Sequence, residues 1–299
     1  MSRLASALGA ARTAVDGAVA WGEMAVDDVA HLRHTLDGND IDRWDPDYIR
    51  RVLPLWRAVM ATYFRGQVRG LDNIPDTGPA LLVGNHSGGT MIADTFVFAT
   101  AFYSHFGPDR RFHQLAHDIV ARIPATGISR WGTVAASHDN AQKAFARGAP
   151  VLVYPGGDYE TFRPSWHSDR VEFGGRKGFI KLALKHDVPI VPVVAVGGQE
   201  TALFVTRGER AAKWTGWANL TRIKVLPVAI APPFGISLLD IPPRLPLPAK
   251  ITVEVLPPID LAERFGPDPE YKAVYDEITG EMQAALSALQ DERTLPIIG

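Results

Sequence analysis

Apolar positions in the middle of the chain fall into short unbroken runs between glycine- and proline-rich breaks, whereas both ends show helical spacing. Leu4, Leu8, Ala11, Val15 and Ala18 recur three to four residues apart, so the first forty residues read as one or two amphipathic helices. Such helices either pack on the rest of the chain or lie in a membrane surface. Asp45-Pro46 reads as a helix cap followed by proline at the first helical position, and Tyr48, Val52, Leu55, Val59 and Tyr63 continue an apolar stripe. Residues 64–70 read as a short strand, 73–79 as a turn and 79–83 as an apolar run of strand length. Residues 91–103 are long and apolar enough for a largely buried helix, with Thr90 as its cap and Asp94 in its first turn.

Further along, residues 111–116 and 133–136 read as strands, and Ser137 caps a helix through Arg147 that Gly148 ends. Residues 150–154 form a buried strand, 178–186 a helix, and 188–196 an apolar strand with too many prolines to be central throughout. The proline-rich apolar stretch 226–248, preceded by Trp214 and Trp217, reads as neither a regular strand nor a helix. It is either an ordered loop over the core or an apolar platform that touches lipid or shapes an acyl tunnel. Residues 251–255 read as a last strand and 269–293 as a C-terminal helix.

Strands alternating with helices in this way predict an α/β fold: a mixed, largely parallel sheet flanked by helices, with an N-terminal helical segment. The expected division is a helical segment over 1–63, an α/β domain over 64–257 and a helical extension packed on it over 258–299. Ligands of such sheets gather at the carboxyl ends of the strands.

Composition narrows the function. The 299 residues suffice for one large α/β domain with appendages, and the absence of cysteine excludes disulfides, thiolate metal sites and a cysteine nucleophile. With 31 basic and 33 acidic side chains the formal charge is −2, without the basic excess of a nucleic-acid binder. Arg3, Arg12 and Asp16 interrupt any secretory pattern, and no charge-free apolar run reaches the roughly 18–20 residues that span a bilayer. A soluble or peripheral protein is expected.

The candidate chemistry centres on residues 83–94. His86 sits where the apolar strand breaks into the turn Gly84-Asn85-His86-Ser87-Gly88-Gly89, and Asp94 is the only charged residue between Met91 and Tyr103. An unpaired carboxylate in an apolar helix is costly, and the turn is expected to bring His86 back to it. The acid would then hold one imidazole nitrogen and leave the other as a base. Gly88 and Gly89 permit positive φ and expose N–H groups suited to an oxyanion. A hydrogen-bonded structural histidine in a turn is the plainer alternative. A second turn, Pro155-Gly156-Gly157, is followed by Asp158, Glu160 and Arg163 and reads as a site for an anionic or polyol substrate, or as an ordinary turn with a surface ion pair.

Taken together, four blocks resemble the glycerophospholipid acyltransferase superfamily, which contains the glycerol-3-phosphate and lysophosphatidate acyltransferases. Asn85-His86 with Asp94 resembles its histidine-aspartate block, and Gly127-Ile128-Ser129-Arg130 its glycine-to-arginine block. Tyr154-Pro155-Gly156-Gly157 resembles its aromatic-Pro-Glu-Gly block, and Val188-Pro189-Ile190-Val191-Pro192-Val193 its final proline-bearing strand. Two departures stand out: seven residues separate His86 from Asp94 where four are usual, and Gly156 stands where glutamate is usual, with Glu160 the nearest replacement. Both resemble the monoacylglycerol and diacylglycerol acyltransferase-like branch.

The resemblance implies an O-acyltransferase that moves a fatty acyl group from acyl-CoA or acyl carrier protein to a hydroxyl of glycerol phosphate, a lysophospholipid or an acylglycerol. It implies a His86–Asp94 dyad as the catalytic pair. Ser87, Gly88, Gly89, Gly156, Gly157 and Glu160 would line the substrate site, with Arg130 and Arg163 on a phosphate or carboxylate of the acceptor. No cofactor or metal is bound permanently, acyl-CoA being a co-substrate. The place of work would be cytoplasmic, peripheral on the inner face of the membrane. Two rivals remain: a metal-dependent hydrolase using His113, His117 and Asp118, and a non-catalytic lipid-binding protein.

Overall fold

The computed structural model describes residues 39–117, 127–215, 225–240 and 244–295. The main sheet has seven strands, in the order β1 (Gln67–Arg69), β10 (Thr252–Val255), β6 (Ile190–Val196), β2 (Leu81–Gly84), β5 (Val151–Val153), β3 (His113–Ala116) and β4 (Thr133–Ala135). The five strands from β6 to β4 run parallel. β10 is antiparallel to β6, and β1 runs parallel with β10. The sheet is therefore mixed and largely parallel, as the alternation of elements predicts.

Helices cover both faces, which is why the strands read as unbroken apolar runs. Leu82, Leu152, Val191 and Val193 pack under α1 (Pro46–Thr62) and α2 (Ala93–Phe106). Their strand neighbours Leu81, Val83, Val151, Ile190 and Val194 face the other way, toward α3 (His138–Ala146), α5 (Gly178–His186) and α8 (Tyr271–Asp291). The short helices α4 (Gly157–Thr161), α6 (Glu209–Trp214) and α7 (Leu261–Phe265) complete the set among the described residues. Local caps form as the sequence predicts: the Asp45 carboxylate accepts from Tyr48 N–H at 2.8 Å, and Ser137 Oγ from Asn140 N–H at 3.0 Å. No described helix is long and apolar enough to cross a membrane. The expected helices of the first forty residues lie almost wholly outside the described residues, as does Trp217.

Three sequence expectations are corrected. First, β6 is central, bonded to β10 on one side and β2 on the other. The Pro192 carbonyl accepts from Leu256 N–H at 2.9 Å, so the missing proline N–H faces the same side, one residue past the paired residues of β10, and costs only the return bond of that terminal pair. Second, residues 226–248 contain two strands, β8 (Val228–Ala231) and β9 (Gly235–Leu238), which join β7 (Leu203–Thr206) in a three-stranded antiparallel sheet. Its outward residues are apolar too, so no polar alternation marks the strands. Third, α2 begins at Ala93 with Ile92 at its cap position. Thr90 is no cap: its N–H and Oγ1 both donate to Asp240 Oδ2, at 2.9 and 2.8 Å.

Candidate active site

The carboxyl edge of the parallel strands brings together the loops after β2, β5 and β6. Tyr154 leaves β5 with its ring lying over Gly84 at the end of β2, where any Cβ would come within 2.5 Å of the ring. That ring stacks on His86, with centroids 4.1 Å apart and planes 17° from parallel, and the Tyr154 hydroxyl lies 2.7 Å from Thr95 Oγ1. His86 is half-buried. Its Nδ1 is buried with no hydrogen-bond partner, and the ring makes no hydrogen bond to any described residue. Burial, reinforced by the Arg163 guanidinium, pushes the imidazole pKa down to about 3, so it is neutral at physiological pH.

The turn that carries His86 is tied at every residue. His86 N–H donates to Glu160 Oε2 at 2.9 Å, and Ser87 N–H and Oγ donate to Asp94 Oδ2 at 3.2 and 2.9 Å. Gly88 N–H donates to Gln199 Oε1 at 3.1 Å and Gly89 N–H to the Thr161 carbonyl at 3.2 Å. The carbonyls are held as well: Arg163 donates to His86 O at 2.6 Å and Arg244 to Gly88 O at 2.5 Å. Gly88 and Gly89 take φ of +92° and +65°, as this tight path requires. The N–H groups of Gly88 and Gly89, which the sequence offers for an oxyanion, are therefore engaged inside the fold, as is that of Ser87. Each already serves the fold.

Asp94 departs from expectation in the same way. Its carboxylate takes up both Ser87 donors and the Thr95 N–H at 2.8 Å, and no hydrogen bond joins it to His86. The bend delivers residue 87, not 86, to the acid, while the imidazole turns to Tyr154. Burial pushes Asp94 up to about 6 against the stabilising Ser87 and Thr95 donors. Glu160, fully buried, accepts from His86 N–H with one oxygen and from Glu172 N–H at 2.9 Å with the other; burial lifts it to about 7 against the pull of Arg163. Gly156 is glycine for a reason. A Cβ there would collide with the Cβ and carboxylate of Glu160, so this carboxylate occupies the room that a side chain at 156 would fill.

A family model described as Acyltransferase matches residues 65–196, a span that holds His86, Asp94, Tyr154, Gly156 and Glu160. Over residues 65–196 the chain is thus similar to acyltransferase domains, in line with the superfamily resemblance of its sequence blocks. An uncharacterized protein of Mycobacterium tuberculosis is 28% identical over 85% of this chain and 70% of its own length. Human 2-acylglycerol O-acyltransferase 3 is 29% identical over 43% of this chain and 39% of its own. In fold, the crystal structure of the 1-acyl-sn-glycerophosphate acyltransferase PlsC from Thermotoga maritima matches with a TM-score of 0.51 at 16% identity, covering 83% of this chain and 84% of that one.

Elsewhere in the matched span, two expected anion ligands are spoken for. Arg130 precedes β4 and so lies at the amino edge of the sheet, opposite His86; it pairs with Asp45 at 2.7 Å and lies 3.9 Å over the Tyr48 ring. Arg163 reaches the His86 loop but is 1% exposed and donates to the His86 and Glu160 carbonyls, which makes it a brace for the backbone. Gly157, at φ +50°, donates its N–H to the Tyr154 carbonyl at 3.1 Å. The residues of the hydrolase rival do not converge on this edge. His113 opens β3 at the amino edge with Nδ1 3.1 Å from Gly132 O, and Asp118 lies outside the described residues. Among the described residues no group of three or more histidines and acids is placed to hold a metal.

A cavity of about 270 Å³ opens beside Tyr154, walled by Leu115, Val153, Phe179 and Leu182, with His138 and Arg176 among its polar lining. Arg176 is engaged by the Pro155 and Gly156 carbonyls at 3.1 and 2.7 Å and by Asp158 at 3.1 Å. Sequence reasoning missed Tyr154 as a partner of the histidine, and missed Gln199, Asp240 and Arg244 entirely. Gln199 was within reach, since it follows an apolar strand at the carboxyl edge. Asp240 and Arg244 leave no local signal.

Proposed function

We propose that this acyltransferase moves a fatty acyl group from the thioester of acyl-CoA or acyl carrier protein to a hydroxyl of an uncharged acylglycerol, with His86 as general base. The imidazole removes the hydroxyl proton as the oxygen attacks the thioester carbonyl. The tetrahedral adduct expels the thiolate, which takes the proton from the imidazolium, so the base is regenerated. The observation that carries this reading is the state of His86: neutral, stacked on Tyr154, and with its ring making no hydrogen bond to any described residue. Asp94 acts at one remove, as a positioning residue that fixes Ser87 and hence the direction in which His86 leaves the strand.

An uncharged acceptor is supported by the fate of the basic side chains. Arg130 is on the opposite edge, Arg163 is buried on backbone carbonyls, and Arg176 is held by two carbonyls and Asp158. The partial likeness to a 2-acylglycerol O-acyltransferase points the same way. The apolar cavity wall suits an acyl segment, and a lipid acceptor fits work at a membrane surface, which we read as cytoplasmic and peripheral on the inner face. One labelled acyl-CoA offered with monoacylglycerol, diacylglycerol, lysophosphatidate and glycerol 3-phosphate tests the assignment. The neutral acylglycerols are expected to give product; transfer confined to the two phosphates would overturn it.

A further inference from the structure

The small antiparallel sheet presents one face to the core and one to the outside. Phe204, Ala229 and Ser237 are cross-strand neighbours on the inner face, and all are buried. Leu203, Ile230 and Ile236 form the matching row on the outer face, with Leu238 opposite Val228 beside them. Ile236 is 71% exposed, Leu238 58% and Leu203 48%. The β8–β9 hairpin continues this surface through Pro232, Pro233, Phe234 and Gly235, all exposed, with Phe234 at 57%.

No residue of the three strands is charged, and none from Val225 to Leu239 is. Sheets that face water blunt their open edges with lysine, glutamate or other charges, and protein interfaces carry a polar rim. This face has neither. Beyond its end, where Leu226 N–H still bonds to Arg207 O at 2.8 Å, α6 exposes Arg210, Lys213 and Trp214. An uncharged aliphatic face with an aromatic tip, flanked by cations and a tryptophan, is complementary to hydrocarbon bounded by anionic headgroups.

The sheet that carries this face also packs against the candidate active site. A Cβ at Gly89 would come 2.7 Å from Phe204 Cζ and 2.5 Å from Asp240 Oδ2. The inner face of this sheet therefore rests on the turn that carries His86, one strand's thickness from the outer face.

We infer that the outer face of β7, β8 and β9, with the Pro232–Ile236 tip, docks on an anionic lipid bilayer. The inference goes beyond acyl transfer and stands without it. The bilayer, not a second copy of the chain or residues 1–38, is the occupant to which it commits.

Cosedimentation of the full chain with vesicles of phosphatidylglycerol and phosphatidylcholine tests it, alongside Ile236→Asp/Leu238→Asp and a chain lacking residues 1–38. The double variant is expected to lose vesicle binding at least about ten-fold with unchanged circular dichroism, while the truncated chain keeps it. Phe234→Trp in the intact chain is expected to shift its emission to the blue on vesicles and to be quenched by brominated lipid. Unchanged binding of the double variant, no binding by the full chain, or loss on truncation alone would overturn the inference. So would light scattering that shows a dimer which the double variant splits. Activity enters none of these readouts, so failure here and failure of the acyltransferase reading are separable.

Discussion

Glu160 and Gly156 compete for one volume. The carboxylate that holds His86 N–H lies where any side chain at 156 would go, so the glycine and the glutamate are a single device. Gly156→Ala is expected to displace Glu160 from His86 and to destabilise the fold by about 1–3 kcal/mol, the range for overpacking. Because both changes strike one contact, Gly156→Ala/Glu160→Ala is expected to cost clearly less than the sum of the single variants. Denaturant titration of the four proteins reads this directly, and additive costs would show that the two sites are independent. The sequence displayed half of this device, since Glu160 stood out as the nearest replacement for the glutamate missing at 156. The other half, that the glycine makes room for that very carboxylate, depends on a turn of α4 that residue patterns do not reveal.

At the scale of elements, the His86 turn is a junction of three segments. α4 supplies Glu160 and the Thr161 carbonyl, the loop after β6 supplies Gln199, and the turn after β9 supplies Asp240. Asp240 is held by Arg244 at 2.8 Å, and both side chains are buried. A buried ion pair stabilises little in itself, but removing one partner strands the other charge at a cost of about 3–5 kcal/mol. Asp240→Ala is therefore expected to lower stability by that amount, and Asp240→Leu/Arg244→Met to restore most of it, as measured by thermal unfolding. Equal losses in both variants would contradict the junction. Elements set by local chemistry, such as α1 behind Asp45-Pro46 and α3 behind Ser137, were legible from a few residues. β8 and β9 were not, because their exposed positions Ile230, Ile236 and Leu238 are as apolar as their buried ones.

At the scale of the molecule, spacing along the chain foretold an α/β sheet with its ligand edge at the carboxyl ends, but not which side chains share that edge. Arg130 shows the limit. Its block resembles one of the family's, yet it precedes a strand where His86 follows one, so the two lie at opposite edges of the sheet. Strand order, which is absent from sequence patterns, decides this. The same order brings the ends of β2, β5 and β6 together and leaves His86 as the titratable side chain on that edge whose ring is uncommitted among the described residues. The most direct test is acyl transfer from labelled acyl-CoA by His86→Ala beside the unmodified chain, with melting temperature and vesicle binding measured in parallel. A loss of about 10²–10⁴-fold in kcat, with folding and binding unchanged, is the expected result. Transfer within a few-fold of the unmodified chain would contradict the account.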